Sequence, residues 1–411
     1  MGVIHPLPKG FADMPINEAL FAAMKAASFV KPNARKSYRL QRMAEELIAR
    51  AAPANPKCRV DDATAAMPDG HALPLRVFTP VAPYGAPPPK TQTEDGSDVP
   101  IPTPRGTILF FHGGGWVTGG INLYTQACAH MAVRLQRRVI SVEYRLAPEY
   151  RFPTAAEDCY EAARQLFAGE LDLPATPAGE GAPDPNDIVL FGDSAGGNLA
   201  AAVSLMARDR GEFMPRTQML LYPVVGNDYN PDTSPFESVR SNGTDYILTA
   251  QDMADYVDMY RSSVQDLTNP YFAPITAHNL SGQPRTLVLS AEYCPLRDED
   301  EAYARRLQLV NGDHAVSCYR VSNGVHGYLL NTSAVELVAT TYRLIEHFLD
   351  GTPLAAPAAG AAGGTAGAAD TTMAAASTVS TASTASTASS ADGAPRTTEG
   401  GAAWRDVLGT D

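Results

Sequence analysis

Ile188-Val-Leu-Phe-Gly192-Asp-Ser-Ala-Gly196-Gly-Asn198 joins a short apolar run to an alanine-rich stretch with no spacer between them. Ile188 to Phe191 is the length of a strand buried on both faces. Ala195 to Arg208 has the composition of a helix. Between them, Gly192-Asp-Ser-Ala-Gly196 fits G-x-S-x-G, and in a strand–turn–helix setting that pattern marks a nucleophile elbow. A sharp turn there forces unusual backbone angles on Ser194, and Gly192 and Gly196 let neighbouring backbone approach without a Cβ in the way. The hydroxyl then stands beside a helix N-terminus, whose free N–H groups and dipole favour negative charge. Asp193 is expected to support this turn by hydrogen bonding and to point away from the hydroxyl.

Upstream, the apolar run Gly106-Thr-Ile-Leu-Phe-Phe111 leads directly into His112-Gly-Gly-Gly-Trp116. Three glycines weaken any regular element and suit a loop that presents backbone N–H groups. Gly113 and Gly114, with Ala195, are the expected donors to a developing oxyanion, each worth about 3–4 kcal/mol in the transition state. No Lys-Ser/Thr follows, which sets nucleotide binding aside.

Around these two segments strand and helix signals alternate. Ala72–Phe78 is expected as an edge strand, followed by strands at 106–111, 139–144, 188–191, 218–222 and 286–290. Helices are expected at 124–135, 154–168, 195–208, 298–309 and 334–350. Repeated β–α units with apolar strands predict an α/β protein with a mostly parallel sheet and helices on both faces. Helix-like stretches at 16–28 and 36–51 precede the sheet and look like an added lid. Helix-prone residues 236–261 interrupt the rhythm.

Of the 411 residues, 19% are charged and the net charge is −13. An acidic chain argues against nucleic acid and against an anionic membrane surface as partners. No run of about 18 apolar residues is present, so no transmembrane helix is expected, and the N-terminus lacks the pattern of a cleaved signal peptide. The five cysteines, Cys58, Cys128, Cys159, Cys294 and Cys318, form no CxxC pair. They suit reduced thiols in a cytoplasm better than a disulfide framework or a zinc site. Residues 82–105 are proline-rich and read as a surface loop, and 174–186 as a loop insertion. Residues 351–411 are mostly Ala, Ser, Thr and Gly, a composition expected to stay disordered.

The chain resembles the hormone-sensitive-lipase-like family of α/β-hydrolase carboxylesterases. The resemblance rests on His112-Gly-Gly-Gly-Trp116, Tyr144-Arg-Leu-Ala-Pro-Glu149 with Phe152-Pro153, Gly192-Asp-Ser-Ala-Gly-Gly-Asn198, Pro295-Leu-Arg-Asp-Glu299 and His326-Gly-Tyr328, in the family's order over roughly residues 60–350. It implies an eight-stranded sheet and a helical cap built from the N-terminus and a later insertion. The expected organisation is a cap segment at 1–58, a catalytic domain at 59–350 with a second cap segment near 226–270, and the tail. It also implies small, uncharged, short-chain acyl esters as substrates, no cofactor or metal, and a monomer or homodimer.

Nucleophile, acid and histidine should follow in that order. Ser194 fits the first role. His326 fits the last, because it follows the strand-like residues 316–321 near the chain's end. His314 and His347, its local competitors, fit structural positions. At the acid position the family pattern calls for Asp before Pro-Leu-Arg-Asp, and this chain has Cys294. A neutral thiol is a weak acceptor, and losing a triad carboxylate costs about 10⁴ in rate. Three outcomes are open: Glu292 or Asp298 serves His326, the site runs as a Ser–His dyad with Cys294 as a weak partner, or hydrolysis is impaired. An impaired enzyme would be a ligand-binding protein on a hydrolase scaffold. An esterase for acetylated or hydroxycinnamoylated sugars is a further alternative. Trp116, Tyr222 and Tyr328 are candidates to line the substrate pocket.

Overall fold

The computed structural model describes residues 33–51, 53–86, 103–176, 182–330, 334–352 and 354. The expected helix at 16–28, most of the proline-rich loop, the middle of the 174–186 loop and nearly all of the tail lie outside these residues.

The elements in chain order are α1 (Ala34–Ala51), β1 (Cys58–Ala66), β2 (Ala72–Pro80), β3 (Thr107–Phe111), α2 (Ile121–Leu135), β4 (Arg138–Val142), α3 (Thr154–Ala168), β5 (Ile188–Asp193) and α4 (Ala195–Arg210). They continue with β6 (Thr217–Leu221), α5 (Glu237–Ser241), α6 (Ala250–Tyr260), β7 (Arg285–Tyr293), α7 (Arg297–Asn311), β8 (Val316–Val325) and α8 (Val335–Asp350). The eight strands form one sheet in the order β1-β2-β4-β3-β5-β6-β7-β8. Pairing is antiparallel for β1–β2 and β2–β4 and parallel from β4 to β8. β3, β4 and β5 are buried at every residue, as continuous apolar runs in a parallel sheet must be.

Three expectations need correction. Ala72–Phe78 does not lie at the sheet edge, because β1 flanks it. Pro74 is tolerated inside β2 because the β2–β4 ladder covers only Leu75 to Phe78, one residue past it. Helix α2 starts at Ile121, earlier than its apolar pattern suggests, because Glu143 from the far end of β4 accepts the Ile121 N–H at 2.6 Å. The helix-prone stretch 236–261 divides into α5 and α6, the latter starting at a capping box between Thr249 and Asp252.

The strand order places the functional loops. From β3 the chain moves outward to β4, then reverses across β3 to reach β5. With right-handed crossovers, α2 and α3 lie on opposite faces. The loops after β3 and β5 therefore diverge at their carboxyl ends, leaving the crevice where open α/β sheets bind ligands. His112–Trp116 and Ser194 are the residues that follow those two strands.

Candidate active site

Ser194 has φ 56° and ψ −121°, a left-handed-side conformation that costs a non-glycine residue about 1–3 kcal/mol. Three backbone hydrogen bonds hold it there. Its N–H donates to Leu221 O at 2.9 Å, and its carbonyl accepts from Val224 N and Asn198 N, each at 3.1 Å. The turn is tight because Gly196 lies against the end of β3; a Cβ at that position would overlap the Phe111 carbonyl oxygen.

His326, just past β8, brings its Nε2 to 2.8 Å from Ser194 Oγ. Its ring packs against Tyr222, with centroids 4.8 Å apart. Behind it, Cys294 Sγ lies 3.2 Å from His326 Nδ1 and accepts the Leu296 N–H at 3.4 Å. The thiol thus occupies the place where a carboxylate would accept both N–H groups. Burial, aided by the charge of Asp300, pushes the Cys294 thiol well above its ordinary range. It faces His326 as a neutral group.

The two carboxylates that might have replaced it are engaged elsewhere. Asp298 accepts from Ser238 N and Arg297 Nε, both at 2.8 Å. Glu292 accepts from Asn323 N at 2.7 Å. Neither is hydrogen-bonded to His326. Helix α5 braces the acid loop, as Ser238 Oγ donates to Pro295 O and Asn242 Nδ2 to Cys294 O.

The oxyanion loop differs from expectation at one residue. The Gly113 N–H is already taken by Asp193 Oδ1 at 2.9 Å and Tyr124 Oη at 3.1 Å, so it points away from the space beside Ser194. The N–H groups of Gly114, Gly115 and Ala195, by contrast, have no acceptor among the described residues. Gly114, at φ 118°, makes the turn that exposes them. The expected donor Gly113 is therefore closed to an oxyanion, because the buried carboxyl of Asp193 claims its N–H.

Asp193 is buried beside the nucleophile with its other oxygen accepting from Tyr124 Oη at 2.9 Å. Burial outweighs these hydrogen bonds and raises its pKa from 3.8 to about 7. The folded state therefore holds this proton more tightly than the unfolded chain, and its stability falls as pH rises from about 4 to about 7. Asp193→Asn should remove that slope. Melting curves between pH 5 and 7 should show the wild type losing a few degrees relative to the variant, at about 2–4 °C per kcal/mol. Parallel curves would refute the assignment.

Residues 108–330 match the α/β-hydrolase fold family. The chain belongs to the α/β-hydrolase fold family. An arylesterase of Saccharolobus solfataricus is 36% identical over 294 residues, which is 71% of this hydrolase and 83% of the relative. An ethyl acetate hydrolase of Pseudomonas putida is 30% identical over 284 residues, 68% of this hydrolase and 79% of the relative. Among solved structures, a hyperthermophilic esterase from the archaeon Pyrobaculum calidifontis superposes with a TM-score of 0.63 at 31% identity, covering 82% of this hydrolase and 98% of that chain. The hormone-sensitive-lipase-like character of the motifs is in keeping with these relatives.

The hydrolase also holds its oxyanion loop from outside the sheet. Helix α1 lies across residues 117–119. Glu45 accepts the Gly119 N–H at 2.9 Å, Arg42 Nε donates to Val117 O at 2.6 Å, and Arg42 Nη2 donates to Ala147 O at 2.7 Å. Tyr256 of α6 packs against Gly115. Both helices fall in the segments expected to form the cap. Their grip on the loop joins residues 74 or more apart in sequence, and no local pattern reveals it.

Trp116, Tyr222 and Tyr328 have no accessible surface in this hydrolase, so none lines an open pocket. Trp116 stacks on Tyr260 at 4.4 Å, Tyr328 packs edge-on to Tyr222 at 5.2 Å, and Tyr328 Oη pairs with Thr341 Oγ1 at 2.6 Å. Tyr222 contributes by supporting the His326 ring. Core packing accounts for the other two. Among the described residues no helix is long and apolar enough to cross a membrane.

Proposed function

We propose that this carboxylic ester hydrolase works through an acyl-Ser194 intermediate and acts on small, uncharged esters with short acyl chains. The observation that carries the reading is the 2.8 Å approach of His326 Nε2 to the strained Ser194 hydroxyl, beside three unclaimed N–H groups. Ser194 Oγ attacks the ester carbonyl carbon while its proton passes to His326 Nε2. The carbonyl oxygen, now negative, is held by Gly114, Gly115 and Ala195 N–H. The C–O bond to the alcohol breaks, and the alcohol leaves with the His326 proton. Water, deprotonated by His326, then splits the acyl-serine and releases the acid.

The short-chain preference draws support from the ethyl acetate hydrolase relative, and aryl esters follow from the arylesterase. The cysteines described are all unpaired thiols, which suits a cytoplasmic protein. The neutral thiol at 294 favours one competing reading, a ligand-binding protein with little turnover. Covalent labelling decides between them. A fluorophosphonate should attach to Ser194 in the folded wild type, and a panel of aryl and alkyl esters should be hydrolysed fastest at two- to four-carbon acyl groups, roughly the range that short-chain esterase chemistry implies. Folded protein that stays unlabelled while binding small molecules would sink the esterase reading.

A further inference from the structure

Helix α1 is amphipathic, and it turns its polar side inward. Leu40, Met43 and Leu47 share one face at i, i+3 and i+7, and all three are exposed. Toward the body the helix presents Gln41, Arg42 and Glu45 instead. Burial raises the Glu45 pKa, although the Gly119 N–H, Gln41, Thr118 and Arg42 all favour its charge. Burying a carboxylate costs free energy that an apolar contact would not. Packing alone does not select this orientation, and what the polar side touches is the oxyanion loop.

That loop is folded so that its second half supports its first. Gly114 O accepts the N–H groups of Val117 at 3.0 Å and Thr118 at 2.9 Å, and Thr118 Oγ1 at 3.2 Å. The two halves are in contact: a Cβ on Gly114 would overlap the Thr118 carbonyl oxygen, and one on Gly119 the Gly113 carbonyl oxygen. Residues 117–119 are thus a floor under the Gly114–Gly115 turn, with no slack to absorb a displacement. Helix α1 holds that floor at each of its three residues. Arg42 Nε donates to Val117 O at 2.6 Å, Gln41 Nε2 to Thr118 Oγ1 at 3.4 Å, and the Gly119 N–H to Glu45 Oε2 at 2.9 Å. Arg42 Nη2 ties the same floor to the next loop through Ala147 O at 2.7 Å and Glu149 Oε2 at 2.9 Å.

We propose that Glu45 and Arg42 are positioning residues for the oxyanion hole, which by fixing residues 117–119 aim the Gly114 and Gly115 N–H groups at the oxygen that becomes negative beside Ser194. This rests on the acyl-serine reading. Neither side chain touches substrate in this role. Donors stabilise an oxyanion most when they are already aimed as the charge develops. The grip therefore acts on kcat and little on KM, because the ground-state carbonyl needs those donors far less than the tetrahedral oxyanion does.

The test compares Glu45→Ala, Glu45→Gln and Arg42→Ala by kcat, KM and affinity for an aryl trifluoromethyl ketone, whose Ser194 adduct carries the oxyanion. E45A should lower kcat about 10- to 100-fold, the cost of a misplacement of roughly 1 Å, with KM within about twofold. Inhibitor affinity should fall by the same factor as kcat/KM. E45Q keeps an oxygen for the Gly119 N–H and should recover most of the loss, to within about fivefold of wild type. R42A should repeat the E45A pattern, and it carries the test if E45A does not fold. Variants that lose melting temperature but keep kcat and inhibitor affinity would mark the contacts as structural and overturn the proposal. E45Q as impaired as E45A would overturn it too, by assigning the effect to charge. Hydrogen–deuterium exchange reads the grip without turnover. The Val117 and Thr118 amides bond Gly114 O and not Glu45, yet they should exchange about tenfold faster in E45A. If the wild type neither labels nor hydrolyses esters, the esterase reading fails by itself; unchanged exchange at Val117 and Thr118 then still overturns the proposed hold on the loop, and faster exchange supports it.

Discussion

Cys294→Asp raises kcat on a simple aryl ester by about 10² to 10⁴, with KM little changed. The upper end is the cost of removing a triad carboxylate while keeping its geometry. The site is already shaped for the gain. The Cys294 side chain faces His326 Nδ1 at 3.2 Å and receives the Leu296 N–H at 3.4 Å, so a carboxylate placed there has one donor for each oxygen. The present thiol, kept neutral by burial, accepts weakly and carries no charge to offset an imidazolium. The gain falls short of its maximum because burial resists ionising a new carboxylate. Steady-state kinetics with an aryl acetate measure it. Turnover that stays at the wild-type level would show that the Ser–His pair needs no anion here.

Ser194→Ala lowers kcat by very different factors in the two backgrounds. In a serine protease with an intact triad, losing the nucleophile costs about 2 × 10⁶, and losing any one member removes most of what the set contributes together. With the carboxylate already missing, much of that factor is gone before Ser194 is touched. Ser194→Ala should therefore cost roughly 10² in the chain with Cys294 and about 10⁶ beside Cys294→Asp, because the members act as a unit. The residual rate belongs to the Gly114, Gly115 and Ala195 donors. Equal losses in the two backgrounds would mean that Ser194 and the residue at 294 act independently, contrary to the geometry that joins them through His326.

Much of the architecture was legible because it follows from local rules. The apolar runs at 106–111, 139–144 and 188–191 read as strands since each is short, unbroken and flanked by glycine or charge, and they fall on β3, β4 and β5 to within two residues. Strand β1, Cys58–Ala66, carries a weak apolar signal, because half-buried and exposed residues alternate along it and three of its nine residues are charged. The start of α2 is not legible locally, because the acceptor of its first N–H, Glu143, lies 22 residues away.

At the site, the sequence alone singled out Ser194, His326, the glycine loop at 113–115 and the oddity at Cys294, and the fold brings Ser194, His326 and Cys294 into one hydrogen-bonded row. Each belongs to a compact pattern in which neighbouring residues dictate one another's geometry, as the turn at Ser194 dictates its glycines. Tertiary structure alone decided which glycine N–H groups remain free, because Asp193 and Tyr124 reach Gly113 across 80 and 11 residues. It also gave Glu292 and Asp298 partners other than His326 and set α1 against the oxyanion loop. The reason is physical. A motif specifies the torsions of its own few residues, whereas hydrogen-bond partners, desolvation and charge depend on whatever else the fold brings within a few ångströms.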